Sequence, residues 1–72
     1  MDTIEFKLRG EHVALCDLLK LTGIADSGGQ GKQMIANGEV TVDGRPESRK
    51  TAKIRANQTV RCLGWNILTV AA

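Results

Sequence analysis

Four residues, Glu39 to Val42, separate Asn37-Gly38 from Asp43-Gly44, and that spacing constrains the fold more than any other feature of the chain. Glycine accepts the left-handed backbone that terminates helices, so Asn37-Gly38 predicts a helix stop. Asp43-Gly44 is among the strongest two-residue signals for a tight hairpin. Val40 and Val42 alternate with Glu39, Thr41 and Asp43, the period of a strand with one buried face. The chain must leave a helix, run a short strand and double back at residue 44. Upstream, Ser27 and Gln30 have capping-box spacing, in which the serine oxygen accepts from the third helical N–H and the glutamine reaches back to the cap. A short helix therefore fills the interval from Ser27 to Asn37, with Met34 and Ile35 as its buried stripe.

The start of that helix is polar and bare. Gly28 and Gly29 place no side chain over the first-turn amides, so these donors and the positive end of the helix dipole stay open to an anion such as a phosphate oxygen, with Lys32 on the next turn. Beyond the hairpin turn come Arg45, Arg49, Lys50 and Lys53, expected to gather near the helix start if the hairpin packs on that helix. The net charge of +2 is too small to imply nucleic-acid binding, but its distribution is uneven. Residues 45–72 carry six Lys or Arg against Glu47 alone, whereas residues 1–44 are net acidic.

In the remaining chain, Ile4, Phe6 and Leu8 alternate with Thr3, Glu5, Lys7 and Arg9, a one-sided strand that ends at Gly10. Residues 11–22 place Leu15, Leu18, Leu19 and Thr22 on one helical face, widened by Val13, Ala14, Cys16 and Leu21, with Gly23 as the stop. Only Ile24-Ala25-Asp26 then separates Gly23 from Ser27, so the two helices meet in a short corner, with Ile24 expected to plug it. Thr51–Ile54 is poorly patterned and predicts a short strand at most. After a turn at residues 56–58, residues 59–63 and 66–70 predict two strands joined at Gly64-Trp65, with Val60, Cys62, Leu68 and Val70 facing inward.

A chain of 72 residues is one small domain, near the lower limit for folding without staples. Phe6 and Trp65 are its only aromatics, so the core must be aliphatic and leaves little volume for an enclosed catalytic cleft. The same scarcity removes the stacking platform of sheet-based RNA modules, and Trp65 reads as a partly buried hairpin-tip residue, with stacking on a base as the alternative. Cys16 and Cys62 lack ligand spacing and read as buried free thiols. His12 has no partner in sequence, and no carboxylate pair suggests acid–base chemistry. A phosphate loop around Gly31-Lys32 fails, because Asp26 and Gln33 stand where it needs glycine and Ser or Thr. No leader and no membrane-spanning run is evident, so the expectation is a cytoplasmic protein. Without a cleft, a carboxylate pair or ligand spacing it is expected to be non-enzymatic and without cofactor or metal, and the expected state is a monomer.

Leu18-Leu19-Lys20-x-x-Gly23, Ser27-Gly28-Gly29-x-x-Lys32 and Ile35-x-x-Gly38-x-Val40-x-Val42-Asp43-Gly44-x-x-Glu47-x-Arg49-Lys50-x-x-Lys53-Ile54 together resemble the αL-motif RNA-binding domain found in small-subunit ribosomal protein S-four. Within it the pattern is most similar to the free-standing, single-domain YbcJ type. The resemblance implies an α+β fold, a two-helix αL corner packed on a small, mostly antiparallel sheet. It also implies non-catalytic binding of structured RNA, such as ribosomal or transfer RNA, in ribosome assembly, translation or RNA metabolism. A ribosomal particle or an RNA-modifying enzyme would supply further contacts. The positions it nominates are Ser27, Gly28, Gly29 and Lys32, then Arg45, Arg49, Lys50 and Lys53, with Lys20 in addition. Gly31 stands where the pattern more often has alanine, which predicts a looser first turn. The alternative reading is a protein-interaction module whose basic face docks an acidic partner.

Overall fold

The computed structural model describes residues 2–72. The elements in order are β1 (Asp2–Lys7), β2 (Val13–Ala14), α1 (Leu15–Leu21), α2 (Gly28–Ala36), β3 (Val40–Val42), β4 (Arg45–Pro46), β5 (Lys53–Ile54), β6 (Thr59–Cys62) and β7 (Trp65–Val70). Five strands form one sheet in the order β1-β7-β6-β3-β4, and β2 pairs with β5 in a separate ribbon. Among the described residues only the β1–β7 pairing is parallel. The architecture is the expected one, an αL corner on a mostly antiparallel sheet. The core lies between the corner and one sheet face, where Leu15, Leu18, Leu19, Val40, Val60 and Ile67 are fully buried.

The first helix begins four residues later than its apolar pattern predicts. Ala14 is extended and offers no side-chain cap to α1. Instead the amides of Leu15 and Cys16 donate to the carbonyls of Ala52 and Lys50 at 2.9 and 3.0 Å, so a distant segment satisfies the helix's first donors. Val13 and Ala14, expected inside the helix, pair as a strand with Ile54 and Lys53. At the other end Thr22 caps α1 and Gly23 takes φ +81°, the left-handed stop. Leu21, placed on the widened apolar face by pattern, is exposed.

In the corner the residue that plugs the core is Ala25, 2% exposed, while Ile24 is only half-buried against it. The Ala25 amide donates to Leu19 O at 3.0 Å, which turns its methyl inward. Ser27 caps α2 as expected, its Oγ accepting from the Gln30 amide at 3.1 Å. The Gln30 side chain reaches back to the amide of Asp26, one residue before the position a standard box would use. Gly31 is a packing position and not a loose one. A Cβ there would lie 2.9 Å from the Cys16 carbonyl oxygen, so the absence of a side chain is what lets α2 close on the first turn of α1.

Asp43 and Gly44 have φ of +51° and +84°, the two positive values of a tight hairpin turn. The Asp43 carboxylate also accepts from the Thr59 amide at 2.9 Å, tying this turn to β6. The last hairpin turns one residue earlier than expected, on Leu63-Gly64, with φ of +50° and +81°. That sets Val60 opposite Ile67 and Cys62 opposite Trp65. A one-residue shift flips a strand's faces. Ile67 and Thr69 are therefore buried, while Leu68 is 39% exposed and Val70 half-buried. Thr69 tolerates burial because its hydroxyl donates to Arg55 O at 2.6 Å and accepts from the Gln58 amide at 3.0 Å. Cys16 and Cys62 are buried free thiols, and burial, then the nearby Glu39 charge, pushes the Cys62 thiol above its ordinary pKa. No helix among the described residues is long and apolar enough to cross a membrane.

Candidate functional site

The backbone bonds that cap α1 also place the basic segment. Because Lys50 O and Ala52 O are held by the first turn of α1, and Lys53 pairs with Ala14, residues 50–54 cross the start of that helix in a fixed path. Gly31 brings α2 against the same turn. Lys32, the next residue on α2, consequently faces the segment. The result is an open groove of about 920 Å³ lined by Lys32, Arg49, Lys50, Thr51, Ala52 and Lys53. All four cations are exposed, and Ala52 forms the buried floor.

On a helix, residues three and four apart share a face. Gly29 and Gly28 stand three and four positions before Lys32 and so lie on its side of α2, although neither lines the groove itself. The Gln30 amide is taken by Ser27 Oγ and the Gly31 amide by Ser27 O. Gly28 and Gly29 thus supply the first-turn N–H groups that no capping bond uses, and a Cβ at Gly28 would meet no atom within 4 Å. Chemically the groove gathers three ammonium groups and one guanidinium, an arrangement suited to oxyanions.

The nine nominated residues do not all converge. Lys32, Arg49, Lys50 and Lys53 share the groove. Arg45 lies on β4 and lines a different depression with Val42, Asp43, Pro46, Glu47 and Gln58. Lys20 is exposed in the last turn of α1 and does not line the groove. Ser27 serves as the cap. Arg49 is already engaged, its guanidinium 3.1 Å from Glu47 Oε1 and its Nε donating to Oε2 at 3.3 Å. That hydrogen bond, with the backbone bond from the Arg49 amide, holds the Glu47 carboxyl below the usual carboxylate range, and the Arg49 pKa is correspondingly raised. Thr51, between Lys50 and Lys53, also lines the groove, a position that the charge pattern does not signal. Nor do the cations come from the Asp43-Gly44 hairpin: Lys32 lies on α2, Arg49 and Lys50 precede β5, and Lys53 is its first residue. Among the described residues no group of three His, Cys, Asp or Glu side chains gathers in a way that would hold a metal ion.

The fold matches known proteins over most of the chain. Residues 6–70 match the S4 domain family, and the chain belongs to it. It is 55% identical over 60 residues to YbcJ of Escherichia coli (strain K12), covering 83% of this chain and 86% of that protein. The YbcJ protein of Shigella flexneri matches to the same extent. The solution structure of E. coli YbcJ, described as revealing an αL motif involved in RNA-binding, superposes with a TM-score of 0.73 at 51% identity, covering 93% of this chain and 86% of that one. The crystal structure of 30S ribosomal protein S4e from Thermoplasma acidophilum matches with a TM-score of 0.58 at 25% identity, over 78% of this chain and 30% of that one.

Proposed function

We propose that this chain binds structured RNA without acting on it chemically, gripping the phosphate backbone between the start of α2 and the basic segment before and within β5. One observation carries the reading: Lys32, Lys50 and Lys53 line a single open groove, and helical periodicity sets Gly28 and Gly29, whose amides no capping bond uses, on the Lys32 side of α2. Kinship with YbcJ, whose αL motif is described as involved in RNA-binding, supports RNA over an acidic protein as the ligand. The groove offers donors and cations but no aromatic platform, so recognition is of backbone path and helix or junction shape. Ribosomal or transfer RNA in the cytoplasm is the target class we favour, on the likeness to a 30S ribosomal protein.

Titrating the protein with a short RNA hairpin while following amide shifts tests this directly. The largest perturbations are expected at residues 27–32 and 50–53, with Lys20 and Arg45 little changed. Shifts centred instead on β1 or the outer face of β7 would refute the assignment.

Glu47 sets a second expectation. Its carboxylate competes with phosphate for Arg49. Glu47→Gln should therefore tighten RNA binding by about threefold and steepen its salt dependence by about one unit of slope, as one more cation reaches the backbone. Acid has the same effect in the wild type. Because the Glu47 pKa is lowered in the fold, the pairing is intact above the ordinary carboxylate pKa and is lost as pH falls through the lowered value.

A further inference from the structure

The two edges of the main sheet are built differently. At one end β4 has only two residues, one of them Pro46. Shortness and proline both blunt an edge against pairing. At the other end β1 has six residues, no proline and no bulge. Asp2 N donates to Gly64 O and Leu8 N to Val70 O, so the even-numbered residues of β1 turn their backbone groups toward β7. Thr3, Glu5 and Lys7 consequently turn theirs away, and no element among the described residues accepts them.

We propose that a second copy of this chain occupies that edge, β1 pairing antiparallel with β1 about a twofold axis through Phe6. The register follows from two requirements. Only odd-numbered residues offer outward backbone groups, so odd must face odd. Charges must also be complementary, because Glu5 and Lys7 stand on the same sheet face. Pairing centred on Glu5 sets that carboxylate against its own copy. Pairing centred on Ile4 puts Glu5 opposite Thr3 and gives Lys7 no opposite charge. Pairing centred on Phe6 sets Glu5 opposite Lys7 twice over, each a hydrogen-bonded pair, and brings the two half-buried Phe6 rings together at the closer non-hydrogen-bonded position. The result is one continuous ten-stranded sheet with both corners on the same side. A contact made by one strand from each copy is small, so association depends on concentration.

The decisive experiment is light scattering and sedimentation on RNA-free protein from micromolar to millimolar concentration, with charge-exchange variants. Wild type should rise from 7.8 kDa toward double that mass as concentration increases. Glu5→Lys alone and Lys7→Glu alone should each stay monomeric, since each sets like charges opposite. An equimolar mixture of the two, and the double exchange Glu5→Lys/Lys7→Glu, should both recover the wild-type mass. Amide exchange at Glu5 and Lys7 should slow with concentration in wild type. A wild type that remains at the monomer mass throughout overturns the inference. So do single variants that associate like wild type, or a mixture that fails to recover.

Discussion

Replacing Lys32, Lys50 and Lys53 together with alanine should weaken binding to a structured RNA hairpin by about 100-fold at moderate salt. The three ammonium groups line one groove and none makes an ion pair with a protein carboxylate among the described residues, so all three are available to phosphate. At roughly 1 kcal/mol for each such contact the sum is about 3 kcal/mol, and 1.4 kcal/mol is tenfold. The slope of log affinity against log salt should become shallower by about three units at most, because each lost contact no longer releases counterions. Loss should be uniform across RNA sequences, since phosphates carry no base identity. Titration by fluorescence anisotropy at four or five salt concentrations measures both quantities. Arg45→Ala and Lys20→Ala provide the contrast, as neither side chain lines the groove. If the triple variant binds as well as wild type, the groove is not the RNA site.

The second large effect concerns the close approach of the helices. Gly31→Val should destabilise the fold by about 2–3 kcal/mol, the upper part of the roughly 1–3 kcal/mol that forcing extra methyl groups into a packed site usually costs. The atom that the new Cβ meets is a backbone oxygen of α1 at 2.9 Å, and it cannot rotate aside as a side chain would. For a domain of this size that loss lowers Tm by roughly 10–20 °C in a thermal melt. RNA affinity should fall as well, because Lys32 moves with α2 while Lys50 stays with α1. Gly28→Ala is the control. Its Cβ enters open space, and alanine's better helix propensity should leave stability unchanged or raise it by up to about 1 kcal/mol. Equal stability of the Gly31→Val variant and wild type would show that this contact does not hold the helices together.

These expectations differ in how far the sequence alone could have supplied them. The groove cations Lys32, Arg49, Lys50 and Lys53 are legible in the sequence, because charge accumulates visibly in the second half of the chain and a glycine-rich helix start is a local pattern. Which of them are available is not. Glu47 lies two residues before Arg49, a spacing that many surface segments share without pairing, and only the path of the loop brings carboxylate and guanidinium to 3.1 Å. Gly31 shows the opposite failure. In isolation a helical glycine predicts weakness, whereas its role here is set by Cys16, fifteen positions earlier in the chain.

What the sequence determined by itself is everything closed by nearby residues: the Ser27 cap, the left-handed stops at Gly23 and Gly38, the turn at Asp43-Gly44, and strands that follow from alternation. Such features involve bonds between neighbours a few positions apart, so their residue types are sufficient. Tertiary structure alone decided where α1 begins, since its first donors are satisfied by carbonyls of residues 50 and 52 and Ala14 offers no cap. It also decided the register of the last hairpin, where Leu63 accepts a positive φ that leucine does not favour so that Val60 and Ile67 can share the core. In both cases burial and hydrogen bonding with distant chain outweigh local preference, because a buried donor left unpaired or a strand turned inside out costs more than one unfavourable dihedral.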